Sequence, residues 1–364
     1  MNIACCTSLY KILEILMWQK MGDDEIRSGV HSQSASTDVI GAVVIGRNEG
    51  ARLVACIGSL NSVCSTVVYV DSGSVDASVT EAKRLGAKVV QLDLSKPFTA
   101  ARARNSGFQL LRESNKHVRY VQFVDGDCEV VKGWLTSAER FLDQNPDIAL
   151  VCGNRIERYP AASIYNGMCS REWNTPSGAT DSSGGDFMIR AQVFQEIGGF
   201  ADEQVAHEEP EFCGRLRKAG FRIWKIDIEM TLHDAAIHSL KQFYSRNRRA
   251  GFGITQALAR SGMDIDPGGR AILQRAATWA LIIPTVILIG LATLGWIAAP
   301  GLVIYPAQVV RHAVGNKQCA EGSLHNRFAV ATLAMVGKFA EAQGALEYLF
   351  KLLLRREMKA IYYR

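Results

Sequence analysis

The sequence predicts an α/β protein: a layered sheet of parallel strands, followed by an apolar helical segment. Three observations carry this. Apolar β-type runs alternate with helix-spaced stretches from residue 39 to about 260. Polar residues follow the end of each run. Residues 276–310 contain no Asp, Glu, Lys, Arg or His.

The elements follow in order. "VIGAVVIG" (39–46) is an apolar run closed by Gly46, and "RNEGARLVACIGSL" after it has helical spacing at Leu53, Ile57 and Leu60. "STVVYVD" (65–71) is a second strand, ended by Asp71. The turn "SGSVD" leads into a helix, "ASVTEAKRLG". "AKVVQLD" (87–93) and "TAARARNSGFQLLRES" are the third strand and helix. "YVQFVDGDCEV" (120–130) is the fourth strand, with Val121, Phe123 and Val124 buried. Strands at this spacing imply parallel pairing through crossover helices. Ligands bind beyond the carboxyl ends of such strands. Arg47, Asn48, Glu49, Asp71, Asp93, Asp125 and Asp127 all follow strand ends, so they converge on one site.

Composition narrows the function classes. The 364 residues carry a net charge of +5, too small an excess to imply nucleic acid. Nine cysteines are scattered without a C-x-x-C pair, which fits reduced thiols in a cytosolic setting and disfavours a zinc site. Residues 1–38 are expected to be a leader and linker, with "LYKILEILMWQKM" as a short amphipathic helix. Lys11, Glu14 and Lys20 interrupt it too often for an export signal.

Two acids directly after a buried strand need a positive partner. The D-G-D spacing lets Asp125 and Asp127 face one region, while Gly126 permits close backbone approach. A nucleoside diphosphate would be repelled there unless Mg²⁺ or Mn²⁺ sits between; these hard cations take carboxylate and phosphate oxygens. A solvated turn is the plainer alternative for an isolated D-x-D.

Taken together, "VVIGRNEGARL", "VVYVDSGSVDAS", "PFTAARARNSGF", "VQFVDGDCEVVKGWL", "EIGGF" and "HEEPEFCGRLRKAGFRIWKI" resemble the family-two inverting glycosyltransferases of the GT-A (Rossmann-like) nucleotide-diphospho-sugar transferase fold. They lie within residues 39–260, about 60% of the chain. The resemblance implies nucleotide contacts from Arg47, Glu49, Asp71, Arg104 and Asp125, and a metal–diphosphate site at Asp125 and Asp127.

Inverting transfer needs a base to take the proton of the acceptor hydroxyl. "HEEPEFCGRL" offers Glu208, Glu209 and Glu211 at a helix start, where Pro210 fits the first turn and acids suit the dipole. Simple helix capping would account for them equally. The family's acid–acid pair maps its base onto Glu209, although the family more often has Asp there; Glu208 is the rival. His233 ends the run "FRIWKIDIEMTLHD" and is either a further metal ligand, as in some relatives, or a hydrogen-bonded residue at a strand end. Arg246, Arg248 and Arg249 form a basic cluster on a helix, either steadying the leaving diphosphate or facing a membrane; Arg246 and Arg249 are taken as the diphosphate or acceptor contacts. Gln242 lacks the family's Gln-x-x-Arg-Trp context, so processive polymer synthesis is not supported. "EWNTPSGATDSSGGDFMIR" (172–190) reads as an acceptor-side loop, with Asp186 near the donor sugar by analogy or the loop simply exposed.

The uncharged tract of 35 residues exceeds the roughly 20 needed for one membrane span and falls short of about 40 for two. Residues 311–364 carry nine Lys/Arg against four Asp/Glu, favouring the cytoplasmic side. A hairpin or re-entrant segment is therefore expected, with Pro284, Pro300 and Pro306 as bending points. The tail "GALEYLFKLLLRREMKAIYYR" reads as a basic amphipathic helix on the inner leaflet, or as a partner-binding helix. The expected domains are a leader (1–38), a transferase domain (39–260), a membrane segment (261–312) and a basic helical tail (313–364). The implied activity is metal-dependent, inverting hexosyl transfer. It would run from a nucleotide-diphosphate sugar to a lipid-linked or cell-envelope glycan hydroxyl, at the cytoplasmic face of the inner membrane. A nucleotidyltransferase on a similar sheet and a non-catalytic membrane scaffold are the alternatives.

Overall fold

The computed structural model describes residues 39–315 and 323–356. The expected leader, residues 1–38, lies outside the described residues. One mixed sheet organises the rest. Its strands in chain order are β1 (Ile40–Gly46), β2 (Thr66–Asp71), β3 (Lys88–Gln91), β4 (Tyr120–Asp125), β5 (Cys128–Val130), β6 (Ile148–Glu157), β7 (Gly178–Ala179), β8 (Phe187–Arg190) and β9 (Arg222–His233). The spatial order is β3-β2-β1-β4-β8-β6-β9-β5, with β7 on β9.

The first half is parallel, as its spacing predicts. β1 lies between β2 and β4, with Gly46 opposite Asp71 and Ile45 opposite Asp125. Connections leave β1 in opposite directions along the sheet, so a crevice opens where β1 and β4 end. Val43, Val44, Val68, Val70, Phe123 and Val124 are fully buried, as expected of strands covered on both faces. Each such side chain contributes about 1.5–3 kcal/mol by leaving water.

The second half departs from the parallel expectation. β8 runs antiparallel to both β4 and β6, and β5 antiparallel to β9. The stretch 172–190, expected to be a loop, contains the end of a helix, β7 and β8. Apolar alternation marks a strand but not its direction, so β8 could be recognised while its pairing could not.

The helices α1 (Ala51–Leu60), α2 (Ser78–Arg84), α3 (Ala100–Ser114), α4 (Trp134–Gln144), α5 (Ile164–Trp173), α6 (Ala191–Glu196), α7 (Glu208–Lys218) and α8 (Leu240–Ser261) accompany the sheet. Local chemistry starts several of them. Thr99 accepts from Arg102 N at α3, Ser163 from Asn166 N at α5, and Ser239 forms a capping box with Gln242 at α8. Behind β4 and β8, Phe123, Phe187, Phe194, Phe200 and Phe212 form an aromatic cluster.

After α8 the chain enters the apolar tract: α9 (Pro267–Ala277), a π turn (Thr278–Ile282), α10 (Ile283–Leu294), a 3-10 segment (Gly295–Val303) and α11 (Ile304–Gly315). By length and composition this tract is long and apolar enough to cross a membrane, and none of its apolar window is buried. It doubles back. Gly295 has φ +63°, and the Tyr305 hydroxyl returns to donate to Trp279 O at 2.8 Å. From Trp279 to Leu294 the outgoing limb rises about 24 Å. α12 (Leu324–Leu353) then packs on α8 in backbone contact. A Cβ on Gly251 would collide with the Glu341 carbonyl, and one on Gly344 with the Arg248 carbonyl. The described residues thus pack as one unit, and the described part of the basic tail is largely a packed helix.

Candidate active site

A cavity of about 720 Å³ opens at the crevice beyond β1 and β4. Gly126 N donates to Ile45 O at 2.8 Å, fastening the D-G-D turn across the two strand ends. Asp125 and Asp127 both line the cavity. So do Arg47, Glu49, Arg104, Glu208, His233, Arg246 and Arg249, drawn from five separated places in the chain.

Charge is concentrated at its floor. Arg104, 2% exposed, donates from Nη2 to Asp125 Oδ1 at 2.8 Å and from Nη1 to Glu208 Oε1 at 2.6 Å. Arg155 lies 2.8 Å from Asp186 Oδ2 and 3.8 Å from Asp125 Oδ2. Four carboxylates (Asp125, Asp127, Asp186, Glu208) gather around these two guanidinia, and Arg249 acts on Glu208 as well. Burial, reinforced by the Asp186 and Asp127 carboxylates, pushes Asp125 above the ordinary carboxylate range against the pull of Arg104 and Arg155. Such a group favours a cation beside it.

The donor set indicates which cation fits. Cys128 pairs directly with His233 across β5 and β9, and one ligand atom each from Asp127, Cys128 and His233 lie within 4.8 Å of one another. His233 Nε2 is 3.5 Å from Asp127 Oδ2, and its Nδ1 is buried without a hydrogen-bond partner. Burial raises the Cys128 thiol well above its usual value, which disfavours its thiolate. What remains is carboxylate oxygen and imidazole nitrogen, a set suited to Mg²⁺ or Mn²⁺ rather than to a thiolate-bound metal.

Residues 42–198, from β1 through α6, match the family described as Glycosyl transferase family 2. The chain carries a glycosyl transferase family 2 domain. An uncharacterized glycosyltransferase from Rickettsia bellii is 30% identical over 145 residues, covering 38% of this chain and 47% of its own. Succinoglycan biosynthesis protein ExoA from Rhizobium meliloti is 26% identical over 193 residues, 50% of this chain and 58% of its own. The chain spans about half the length of these curated relatives. The solved structure of the mannosyltransferase PcManGT from Pyrobaculum calidifontis, in complex with GDP-Man and Mn²⁺, superposes with a TM-score of 0.53 at 14% identity. It covers 92% of this chain and 94% of its own, and shows a shared GT-A fold.

The two adjacent glutamates at the start of α7 separate. Glu208 lines the cavity, whereas Glu209 turns away from it and is 5% exposed. Glu209 Oε1 accepts from Ser183 N at 2.5 Å, from Ser183 Oγ at 2.9 Å and from Cys213 Sγ at 2.9 Å. Of the two candidates for the base, Glu208 is therefore the one on the cavity wall. His207, in the left-handed region at φ +64°, precedes α7 and sets its entry, so the next residue meets the cavity and the one after it the core. His207 is held there by Asp266, whose Oδ2 lies 2.5 Å from Nε2. Burial raises Glu209, while for Glu208 the same burial effect is outweighed by Arg104, holding it below the usual range.

Two other expectations change. Asp186 is fully buried and does not line the cavity of the glycosyltransferase domain. Its Oδ1 accepts from Asp125 N, and its Oδ2 from Thr231 Oγ1 at 2.8 Å, so it braces the floor. Asp71 is 1% exposed; both oxygens accept from the Tyr69 hydroxyl or from Gly73 N and Ser74 N. It shapes the turn whose Ser72 reaches the cavity. Arg248 faces α12, paired with Glu347 at 2.6 Å. Arg246 pairs with Glu172 at 2.9 Å on the cavity rim, and Arg47 lies over the Phe98 ring.

Sequence reasoning missed Arg155 and Trp173, both lining the cavity, with the guanidinium 5.5 Å from the ring centroid. The signal was present in the run "IALVCGNRIE", where a lone arginine follows a buried apolar strand.

Proposed function

We propose that the protein is a metal-dependent, inverting hexosyltransferase using a nucleotide-diphosphate sugar, and that Glu208 is its base. The observation that carries this reading is the grouping of Asp125, Asp127 and His233 in the cavity beyond the carboxyl ends of β1 and β4, a donor set that a divalent cation fits. Asp127, Asp125 and His233 would hold Mg²⁺ or Mn²⁺, which when bound neutralises charge on the diphosphate. PcManGT binding GDP-Man and Mn²⁺ is consistent with this choice.

The chain's own residues then divide the work. Arg47 and Glu49 take the nucleoside end, with Asp71 acting through the turn it shapes. Arg246 and Arg249 present fixed positive charge to the departing diphosphate. Arg104 fixes Glu208 relative to Asp125 by one rigid fork, so base and donor site keep a constant spacing. Glu208 takes the proton of the acceptor hydroxyl as its oxygen attacks the anomeric carbon. The bond to the diphosphate breaks on the opposite face, and the sugar inverts.

The acceptor is a hydroxyl on a lipid-linked or cell-envelope glycan. The similarity to a succinoglycan biosynthesis protein and the exposed apolar tract support this class. The tract inserts from the cytoplasmic face as a re-entrant hairpin. Its outgoing limb of about 24 Å is shorter than a hydrocarbon core of roughly 30 Å.

The testing experiment is calorimetric titration of detergent-purified protein with UDP and GDP, with and without Mn²⁺, alongside transfer assays of Glu208→Gln and Glu209→Gln. Metal-dependent nucleotide binding, with transfer lost only in Glu208→Gln, is expected. Absence of metal-dependent binding to any nucleoside diphosphate would overturn the reading.

A further inference from the structure

α7, the helix that begins with Glu208, is tied along one side to a single short piece of chain. That piece, residues 261–266, joins α8 to α9. Ser261 Oγ donates to Glu211 Oε1 at 2.7 Å, and Lys218 Nζ donates back to Ser261 O at 3.0 Å. Arg217 Nη2 donates to Ile265 O at 2.9 Å. The backbones leave no room between them, since a Cβ on Gly214 would collide with the Ile265 carbonyl. Asp266 completes the set at the front of α7, with its Oδ2 2.5 Å from His207 Nε2. The helical path that starts at Pro267 then runs through α9 and the π turn into α10, ending at Leu294. The piece of chain that grips α7 is therefore also the root of the apolar tract.

Asp266 has the most leverage of these ties, because it holds the residue next to Glu208. It is buried, so its carboxylate keeps a fixed place. His207 stands at φ +64°, a conformation that residues with a side chain seldom adopt. Directions on a helix change by about 100° per residue. A small turn of the backbone at His207 would therefore swing Glu208 away from Arg104 Nη1, its partner at 2.6 Å. The other ties act on Glu211, Arg217 and Lys218, further along α7.

We infer that Asp266 is a positioning residue for transfer: through His207 it directs Glu208 at the cavity, and so sets the base from the root of the apolar tract. The inference rests on the reading of Glu208 as base. A base misplaced by about 1 Å costs on the order of 10²-fold in rate. Nucleotide binding depends on groups at the ends of β1 and β4, which the tie does not touch. Loss of the tie therefore acts on turnover and leaves binding alone.

The test uses the full chain in detergent micelles with Mn²⁺. Release of GDP from GDP-mannose and of UDP from UDP-glucose is followed, with water in place of the acceptor hydroxyl. Asp266→Ala is expected to lower kcat about 10–100-fold, with KM for the sugar nucleotide unchanged. Asp266→Asn keeps a hydrogen-bonding group against the ring and should recover most of that loss. Asp264→Ala, exposed and in the same link, is the control and should react at the unmodified rate. His207→Gly tests the tie from its other end, because glycine accepts the positive φ without the ring. It should lose as much as Asp266→Ala, and the double variant no more than either alone. Full rate in Asp266→Ala or in His207→Gly would overturn the inference. So would losses that add in the double variant, a rise in KM that accounts for the loss, or an equal loss in Asp264→Ala. If the unmodified protein consumes neither sugar nucleotide, the transferase reading fails instead. Amide hydrogen exchange over residues 207–212 then judges the tie by itself. Faster exchange in Asp266→Ala but not in Asp264→Ala supports it, and equal exchange in the two overturns it.

Discussion

Arg104 Nη1 lies 2.6 Å from Glu208 Oε1, inside a site where the adjacent Glu209 points the other way. One buried guanidinium thereby joins α3 to the start of α7 and, through its other nitrogen, to the end of β4. Replacing Glu208 by Gln should lower kcat by about 10²–10⁴-fold with nucleotide affinity retained. Glu209→Gln should keep most activity. The measurement is transfer rate beside nucleotide affinity for both variants, and equal loss in the two would count against Glu208 as base.

The pH dependence follows from the same pair. Arg104 outweighs the effect of burial and holds Glu208 below the usual glutamate range, so it remains ionised down to mildly acidic pH. Its contribution to stability is complete above the unfolded-state pKa and disappears as pH falls through the lower folded value. Glu209 has the opposite sign: its raised pKa means stability declines as pH rises through the folded value. Glu209→Gln should therefore flatten that decline, and thermal melts across a pH series would detect it.

Asp127→Ala and His233→Ala should each weaken Mn²⁺-dependent nucleotide binding, by about 10–100-fold. Cys128→Ser should leave it nearly unchanged, because burial disfavours the thiolate. Calorimetry with and without the metal separates these outcomes. A large loss in Cys128→Ser would point to a softer metal.

Gly251→Ala and Gly344→Ala should destabilise by about 1–3 kcal/mol each, since the added methyl meets a backbone carbonyl rather than a movable side chain. Denaturant melts would register the cost. Gly58→Ala, where a Cβ meets nothing within 4 Å, is the matched control and should stabilise slightly.

Leu288→Arg or Trp296→Arg, both on exposed positions of the hairpin, should reduce recovery of the protein in the membrane fraction. A central charge costs about 2.5–3.5 kcal/mol on insertion. Flotation with liposomes reads this directly. Unaltered flotation in the double variant would argue that the tract covers another protein surface instead.

The parallel half of the sheet was legible because each of its strands is a continuous apolar run closed by a polar residue. Asp125 and Asp127 were legible for the same reason: a repulsive pair after Val124 has few structural explanations. Glu208 and Glu209 could not be separated, because successive helix residues differ by about 100° around the axis. Which one meets the cavity depends on the left-handed His207 and its Asp266 partner, 59 residues downstream. Asp186 and Asp71 look like site acids in the sequence, since a carboxylate that braces a backbone is chemically identical to one that meets a ligand. Only burial distinguishes them. Arg155 was overlooked because β6 shifts register at Asn154–Arg155, so alternation no longer says which way that side chain points.

The Trp279–Tyr305 contact has a kinetic consequence. On the proposed reading, with the tract embedded, the protein and a lipid-linked acceptor would diffuse in the same plane, and encounter would depend on how many molecules share an area rather than a volume. A nucleotide sugar would still arrive from bulk water. Each proposed substrate would then have its own concentration scale.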